Sequence, residues 1–501
     1  MSSSLAALVA ASPLNRVGAA PPPHADPVAV PLTNTVFTPT GSVGVVTPSG
    51  SIRRLESSAE LLLDDAAPVT DSIAWAIWGL FVGLAFLLVG VGLFSTLVGV
   101  QSQLNGFPNW AIGVISASYY GGFLVGSKIS AMALAKVGHI RVFAALASLL
   151  AVAMLLVGLT SSPGAWIGLR FASGLCIAGQ YVVAESWLNQ LASNKNRGRL
   201  LAIYLVITSA AYGVGQLLIG SVDPKLMTGF AVAAVLTSMA VAPVTLSEDA
   251  KPPPIEHTAK LSLRELANIV PTGVGACFLV GLAHGAFVGM SAVYAAQAGL
   301  TASQIGPFVA VTAVGGVLLQ YPISSASDQV DRRFVGVVIA TSAIAAVVLM
   351  LVKGPFGWHG LVLMALIGGL SFPLYSIAAA YTNDWVEPNK QTGAASQLIL
   401  LYGAGALCGP LVTSQLMTHM GPRGFLWSII IFHVLIVLFL VYRLMAWRAP
   451  LVDRPWSETS VMAKTFFIPA TAVSMSRRLG RQTMHLIHPD DTGELDVTKE
   501  P

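Results

Sequence analysis

Charge is scarce in this chain of 501 residues, since only 10% of them are Asp, Glu, Lys or Arg while 54% are hydrophobic. Soluble domains carry about 25% charged residues, so the composition excludes an ordinary soluble protein. The apolar residues also fall in long runs, such as 74–100, 335–352 and 426–440. Runs of about 18 or more apolar residues predict membrane-spanning helices.

Cysteines and enzyme motifs are equally rare. The three cysteines, Cys176, Cys277 and Cys408, lie far apart in apolar stretches and predict neither disulfides nor a metal site. The sequence has no nucleotide-binding P-loop, no His/Glu cluster with metal-ligand spacing and no Ser-His-Asp set. We therefore expect no cofactor, no metal, no enzymatic activity and no step driven directly by ATP. The net charge of +4 gives no reason to expect nucleic acid as a partner.

The apolar runs predict an all-α polytopic membrane protein with twelve transmembrane helices in two pseudo-symmetric six-helix bundles. The first six spans are predicted at 76–99, 110–134, 142–161, 164–188, 199–221 and 226–246. The second six are predicted at 271–297, 303–326, 334–352, 359–384, 394–418 and 424–446. The predicted domains are a disordered N-terminal tail (1–72), two bundles (73–246 and 271–447), a linker (247–270) and a C-terminal tail (448–501).

Basic residues in the loops predict the orientation. Eleven Lys and Arg residues fall in loops on the side of the N-terminus, against three in the opposite loops. Positive residues favour the cytoplasmic side, so we expect both termini there. We also expect a plasma-membrane protein and a monomer.

An internal repeat relates the two predicted bundles. Residues 121–130 (GGFLVGSKIS) and 315–324 (GGVLLQYPIS) agree at five of ten positions, with a shift of 194 residues. Tyr212-Gly-Val-Gly215 recurs as Tyr402-Gly-Ala-Gly405, with a shift of 190. Repeated six-helix halves place a solute cavity at their interface near the middle of the bilayer and predict alternating access.

The loop between the eighth and ninth spans carries a family resemblance. It reads Ser324-Ser-Ala-Ser-Asp328-Gln-Val-Asp331-Arg332-Arg333 and is similar to the GxxxDRxGRR motif of the major facilitator superfamily. The equivalent loop of the first half keeps Lys136, Gly138 and Arg141, with Ala135 at the acidic position. Three further motifs resemble the poorly characterised bacterial YcaD-like branch of this superfamily. They are Trp166-x3-Arg170-Phe171-x2-Gly174, Glu185-Ser186 and Arg197-Gly-Arg199-Leu-Leu-x2-Tyr204. The resemblance implies a transporter without naming its cargo.

Buried charged and polar residues give the candidates for the cavity. A charge at mid-bilayer costs on the order of 3 kcal/mol, so Arg170, deep in the fourth span, either binds an anionic group of the solute or bridges helices. His284 on the seventh span either carries a coupling proton or packs as a neutral ring, and His433 is expected to have no role. Neutral hydrogen bonds to a solute are expected from a group of four residues taken together, and the alternative for each one is a hydrogen bond between helices. They are Gln180, Gln216, Gln320 and Tyr375.

Charged residues near the predicted cytoplasmic ends are candidates for a gate that forms in one state and breaks in the other. A direct role of the acids in binding solute is the alternative. The predicted gate residues are Lys136, Arg141, Glu185, Arg197, Arg199, Asp328, Arg332, Arg333 and Asp384.

Together these features predict a secondary transporter of a small solute, anionic or zwitterionic because of Arg170, that works by rocker-switch alternating access within the lipid bilayer. Coupling to a proton is an open option. The competing hypotheses are a membrane sensor that keeps the same fold without transporting, and a membrane enzyme. Flux through proteoliposomes would separate the first hypothesis from the other two.

Overall fold

A computed structural model describes residues 35–37, 43–46, 52–54, 66–191, 197–247, 261–387 and 389–446. Most of the predicted tails and of the predicted linker lies outside these residues. In the N-terminal segment, strands β1 (Thr35–Phe37), β2 (Val43–Val46) and β3 (Ile52–Arg54) form an antiparallel sheet in the order β1-β2-β3. Its register pairs Thr35 with Val45 and Gly44 with Arg54. The strands fall in the tail that the sequence predicts to be disordered.

The rest of the described chain is helical. The helices of the first half are α1 (Ala66–Leu104), α2 (Asn109–Val137), α3 (His139–Leu159), α4 (Pro163–Leu191), α5 (Arg197–Leu217) and α6 (Thr228–Thr245). A short helix, α7 (Leu263–Ile269), precedes the second half. The second half consists of α8 (Pro271–Gln297), α9 (Ala302–Gln329), α10 (Arg332–Lys353), α11 (Gly357–Trp385), α12 (Gln391–Met420) and α13 (Arg423–Ala446).

Twelve of these helices match the twelve predicted spans. Within the described residues, eleven are long and apolar enough by composition alone to cross a membrane. The twelfth, α2, has 29 residues and a more polar surface with several Ser, Tyr and Gly residues. The prediction of an all-α polytopic fold with two six-helix bundles is thereby confirmed. α1 begins ten residues before the predicted start, because helical hydrogen bonding continues beyond the apolar run.

Helix α7 lies inside the segment that the sequence predicts as a linker. Ser262 caps its N-terminus, and the Ser262 hydroxyl accepts a hydrogen bond from the Glu265 backbone N–H at 3.2 Å. Ser-x-x-Glu is a helix-start signature that satisfies orphan N–H groups. Glu265 also pairs with Lys390, at 3.5 Å between Oε1 and Nζ. The short helix is thus attached to the second half.

Proline and glycine shape the helix ends and breaks. α11 is interrupted at Phe372, between segments Gly357–Ser371 and Pro373–Trp385, because Pro373 has no N–H to donate. α2 and α3 are separated only by Gly138, whose φ of 93° is open to glycine and disfavoured for other residues.

The internal repeat is visible in the packing of the central helices. A Cβ atom at Gly92 on α1 would overlap the Tyr212 carbonyl on α5, and one at Gly281 on α8 would overlap the Tyr402 carbonyl on α12. The two contacts are related by shifts of 189 (281 minus 92) and 190 (402 minus 212) residues. Small residues allow helices to approach closely in a membrane, where apolar surface alone gives no net attraction. Each half therefore contains the same tight helix crossing.

The two halves meet near the end of the molecule where α1 joins α2 and where α8 joins α9. There the Gln297 side-chain amide donates to Asn109 Oδ1 at 2.7 Å, and Ser116 Oγ donates to the Gly289 carbonyl at 3.1 Å. A Cβ atom at Gly113 on α2 would overlap Ser414 on α12. Each of these contacts joins a residue of the first half to a residue of the second.

The halves diverge toward the opposite end. On α9, Gly306 packs on Gln216 of α5, whereas Val317, three turns further along the same face, is 44% exposed. Tyr321, one turn beyond it, is 78% exposed. On α2, the face that meets α12 at Gly113 becomes exposed at Ala131, about five turns further along. The seam is therefore closed at one end and open at the other.

Candidate functional site

A cavity lies at the seam between the halves, bounded by four helices of the first half and by α8. It is lined by Val91, Ser95, Val98, Gly99, Ile112, Ser116, Tyr119, Tyr120, Arg170, Ile177, Tyr212, Val288 and Gly289.

Helical periodicity brings these residues together. On α1 the lining positions are i, i+4, i+7 and i+8 counted from Val91, and on α2 the same spacing runs from Ile112. Residues at this spacing share one face of a helix. Two helices thus present matching faces to the cavity, while α4 contributes Arg170 and α5 contributes Tyr212.

Arg170 is the one charged side chain among the described residues that line the cavity. It lies seven residues from the start of α4, roughly 10 Å along the helix at about 1.5 Å per residue. Its guanidinium carbon lies 4.7 Å from the ring centroid of Tyr119 and 5.1 Å from that of Phe94. The residue is 7% exposed, and Nε has no hydrogen-bond partner within the described chain.

The cation of Arg170 is therefore held by aromatic rings rather than by an acid. Cation–π contacts are worth about 0.5–2 kcal/mol and leave the N–H groups of the guanidinium free to donate. No ion pair of Arg170 occurs among the residues from 77 to 446 that the structure describes. The arrangement can accept an anion with little competition from the protein.

The repeat places a tyrosine of each half against the first helix of that half. Tyr212 hydrogen-bonds to Ser95 on α1, and the Tyr402 hydroxyl lies 3.2 Å from Nδ1 of His284 on α8. Ser95 and His284 are separated by 189 residues, close to the 190 between the tyrosines. His284 thus occupies in the second half the position of a cavity-lining serine in the first.

His284 belongs to a chain of buried hydrogen bonds that joins four helices. His284 Nε2 donates to the Ser371 carbonyl at 2.8 Å, so Nδ1 accepts from Tyr402. The Ser371 hydroxyl lies 3.0 Å from Nε2 of His433, whose Nδ1 donates to the Ile429 carbonyl at 2.8 Å. Both rings are satisfied as neutral imidazoles. His433, expected to have no role, is an integral member of this network.

His284→Ala is expected to lower the thermal stability of the second half. The substitution leaves a hydroxyl and a carbonyl unpaired in a buried site, which costs about 1–3 kcal/mol for each group, and it opens a cavity. The measurement is the unfolding midpoint of the purified protein in detergent. His419→Ala, at an exposed position near the end of α12, is the matched control and should change the midpoint little. Equal unfolding midpoints for the two variants would show that the hydrogen-bond network does not stabilise the protein.

The other predicted polar residues have different surroundings. The Gln180 amide donates to the Phe143 carbonyl at 2.9 Å and ties α4 to α3. The Gln320 amide bonds to Ser376 at 3.1 Å and ties α9 to α11. Gln216 Oε1 and the Tyr375 hydroxyl are buried without a hydrogen-bond partner among the described residues. The ring of Tyr375 lies 4.8 Å from that of Tyr402, beside His284. These four residues and His284 are not among the residues that line the cavity.

At the open end, the predicted gate residues of the second half form a compact cluster. Arg332, 5% exposed, pairs with Asp328 at 2.8 Å and with Asp384 at 2.7 Å. It joins the ends of α9 and α11 to the start of α10. Arg333 pairs with Asp331 at 2.8 Å and donates to the Arg443 carbonyl at 3.0 Å. These contacts lie within the second half.

The first half has a neutral contact at the equivalent place. His139 Nε2 lies 3.2 Å from the Ser186 hydroxyl, and its ring packs on Trp187 with centroids 5.8 Å apart. Glu185 is 3% exposed and interacts electrostatically with Tyr204 and Tyr181. Lys136 and Arg141 are exposed, while the side chains of Arg197 and Arg199 lie outside the described residues.

The aromatic wall of the cavity was not predicted from the sequence. Tyr119, Tyr120 and Ser116 share one face of α2 with the seam, and the spacing of polar and aromatic residues on that helix was a usable signal. His139 and Ser186 were also not predicted. The GxxxDRxGRR motif ends in two Arg positions, and His139 stands at the first of them.

Comparison with known proteins agrees with this architecture. The sequence model of the Major Facilitator Superfamily matches residues 80–377 and 274–482. The chain is 28% identical over 342 residues to the "Uncharacterized MFS-type transporter YcaD" of Escherichia coli (strain SE11) and of Shigella sonnei (strain Ss046). Each alignment covers 67% of this chain and 87% of the relative.

Solved structures share the fold at low sequence identity. The crystal structure of the nucleoside transporter NupG matches with a TM-score of 0.60 at 14% identity, over 75% of this chain and 99% of that one. A bacterial homologue of the human lysosomal transporter Spinster, in an inward-facing and occupied conformation, matches with a TM-score of 0.59 at 13% identity. That match covers 74% of this chain and 96% of the other. With its two six-helix halves and its family match, the chain belongs to the Major Facilitator Superfamily of membrane transporters.

Proposed function

We propose that this protein is a secondary transporter that moves a small solute by alternating access. The observation that carries the proposal is the cavity at the seam, which inter-half contacts close at one end and which diverging helices open at the other. Two bundles that rock about a fixed central site would expose it to each face in turn. The driving force is a solute or ion gradient, since the sequence has no ATP-binding motif.

The positive-inside pattern gives the proposed direction of the open end. If both termini are cytoplasmic, the closed end faces outward and the cavity faces the cytoplasm of a plasma-membrane protein. The cluster of Arg332, Asp328 and Asp384 then lies at the cytoplasmic mouth, together with Glu185. We place the gate there, as two clusters, one within each half, whose separation changes as the halves rock.

Arg170 sets the proposed charge of the cargo. A buried cation without an acidic partner binds an anionic group more readily than a cationic one. The solute is therefore anionic or zwitterionic.

A reversible cross-link across the closed seam tests alternating access. Asn109→Cys and Gln297→Cys are introduced together after Cys176, Cys277 and Cys408 have been replaced by Ser. The pair is joined by a short disulfide-forming bifunctional reagent. We expect the cross-link to abolish flux of a labelled solute panel into proteoliposomes, because the seam can no longer open, and we expect reductant to restore it.

A pair of cysteines within one half is the matched control. The pair is Glu265→Cys with Lys390→Cys. The native side chains lie 3.5 Å apart at their charged atoms, and their contact attaches α7 to the second half without crossing the seam. The cross-link should therefore leave flux unchanged. Undiminished flux with the seam locked would refute alternating access across it. The absence of flux for the entire panel in the uncross-linked protein would favour the sensor hypothesis.

A further inference from the structure

We propose that the cavity around Arg170 binds a small monocarboxylate that carries an aromatic ring. This inference rests on the proposed function, because it names the substrate class of the same cavity. Three features support it: the number of charges in the cavity, the way Arg170 is held, and the chemistry of the walls.

The charge count favours a monoanion. Arg170 supplies one positive charge, and the other described lining residues are uncharged. A bound carboxylate would make the filled cavity neutral. A phosphate monoester would bring about two negative charges and leave one uncompensated in a largely buried site, which costs free energy.

The geometry of Arg170 favours a planar acceptor. Its ring contacts with Tyr119 and Phe94 hold the cation without consuming its N–H donors. The Nε atom is buried and has no protein partner in the described chain. Guanidinium groups bind carboxylates through two parallel hydrogen bonds, and that pairing has high geometric specificity.

The walls favour an aromatic body. Tyr119, Tyr120 and Tyr212 line the cavity beside Arg170, and the remaining lining is mostly aliphatic, with Val91, Ile112, Ile177 and Val288 among it. Tyr119 and Tyr120 meet edge to face, with centroids 5.2 Å apart. An aromatic ring gains about 0.5–1.5 kcal/mol from such partners beyond its buried area.

Benzoate is the probe for this site. Its affinity for the full-length protein in detergent is measured by isothermal titration calorimetry, alongside benzamide, benzylamine, phenyl phosphate and acetate. Benzamide keeps the shape of benzoate and is uncharged, and benzylamine carries a positive charge. Phenyl phosphate carries more negative charge than benzoate, and acetate keeps the carboxylate without the ring. We expect benzoate to bind at least 10-fold more tightly than each of the four.

Two variants of Arg170 connect the binding to this residue. Arg170→Gln should weaken benzoate binding at least 10-fold, and Arg170→Lys should give an intermediate loss, because an ammonium keeps the charge without the paired donors. Arg423→Gln, at an exposed arginine at the start of α13, is the control and should bind as the wild type does. The unfolding midpoint of each variant shows whether it is folded, and the wild-type ligand series does not depend on the variants.

Absence of benzoate binding by the folded wild type, equal binding of benzamide, or unchanged binding by a folded Arg170→Gln protein would each overturn the proposal. Flux assays keep this result separate from the proposed function. Transport of another solute that the seam cross-link blocks, without benzoate binding, would refute the aromatic carboxylate alone. Benzoate binding with no flux of any solute would refute the transporter and leave the site.

Discussion

Gly174→Ala is expected to separate α4 from α2 and to disable the Arg170 cavity. A Cβ atom at Gly174 would overlap the Tyr119 carbonyl, and one at Gly122 on α2 would overlap the Phe171 carbonyl on α4. The two glycines therefore hold a reciprocal crossing in which backbone meets backbone. Overpacking usually costs about 1–3 kcal/mol, and we expect the upper part of that range because a carbonyl in a helix cannot move aside.

The crossing also sets the distance between Arg170 and Tyr119. Arg170 lies one helical turn before Gly174 on α4, and the new methyl group would displace the carbonyl of Tyr119 itself on α2. The Gly174→Ala protein should therefore lose benzoate affinity by more than its loss of stability alone would suggest. Calorimetry and the unfolding midpoint measure the two effects on the same sample.

Gly168→Ala is the matched control for this prediction. It lies on α4 as well, and a Cβ atom there meets nothing within 4 Å. Alanine is preferred to glycine within a helix by about 0.5–1 kcal/mol, so this variant should be unchanged or slightly more stable. If Gly174→Ala is as stable as Gly168→Ala and binds benzoate normally, the crossing does not constrain the cavity.

The sequence was sufficient to predict the fold because membrane helices leave strong local signals. Spanning runs must satisfy their own backbone hydrogen bonds in lipid, so long apolar stretches predict helices directly. The repeat could also be found, since Tyr212 and Tyr402 sit at tight crossings that need neighbouring small residues, Gly215 and Gly405. α7 was overlooked in a linker region, although Ser262 and Glu265 gave a capping signal.

The cavity was harder to predict because its residues come from five helices. Arg170 could be identified alone, since a charge deep in a span is rare. The spacing on α2 places Tyr119 and Tyr120 on one face with Ser116, but it does not show what that face meets, because a tyrosine in a span is as compatible with packing or lipid contact as with a cavity wall. Tyr212 has no such neighbours among the lining residues of its own helix. His284 was a candidate for its chemistry, and only the positions of Ser371 and Tyr402 show that its hydrogen bonds are complete in the neutral form.

The charged cluster around Arg332 and its counterpart in the first half show how one repeated position can hold two chemistries. His139 corresponds to Arg332 at a shift of 193 residues, and Ser186 corresponds to Asp384 at a shift of 198. A neutral contact of 3.2 Å in the first half thus replaces an ion pair of 2.7 Å in the second. A neutral hydrogen bond contributes about 0.5–1.5 kcal/mol, whereas bonds between charged groups contribute more. The contact between His139 and Ser186 should therefore contribute less stability than the ion pair between Arg332 and Asp384.

The double substitution Asp328→Asn and Asp384→Asn is expected to be the most destabilising change at the open end. Arg332 is 5% exposed, while the side chains of Asp328 and Asp384 are 43% and 24% exposed. Removing both acids leaves a buried cation without a counter-charge, which costs about 3–5 kcal/mol. Arg332→Ala removes the buried charge instead and leaves two acids that water can reach, so it should cost less.

Comparison of these variants in one unfolding series separates the burial of charge from the number of contacts. Lys390→Gln is the control, because Lys390 is 34% exposed and its pairs with Glu265 and Glu387 span 3.5 and 4.0 Å; exposed pairs of this kind contribute about 0–1 kcal/mol. His139→Ala tests the neutral counterpart and should cost about 1 kcal/mol for its hydrogen bond, plus the packing lost against Trp187. An unfolding midpoint of the Asp328→Asn/Asp384→Asn protein at or above that of Arg332→Ala would contradict the prediction, because the desolvated cation would then cost no more than the hydrated acids.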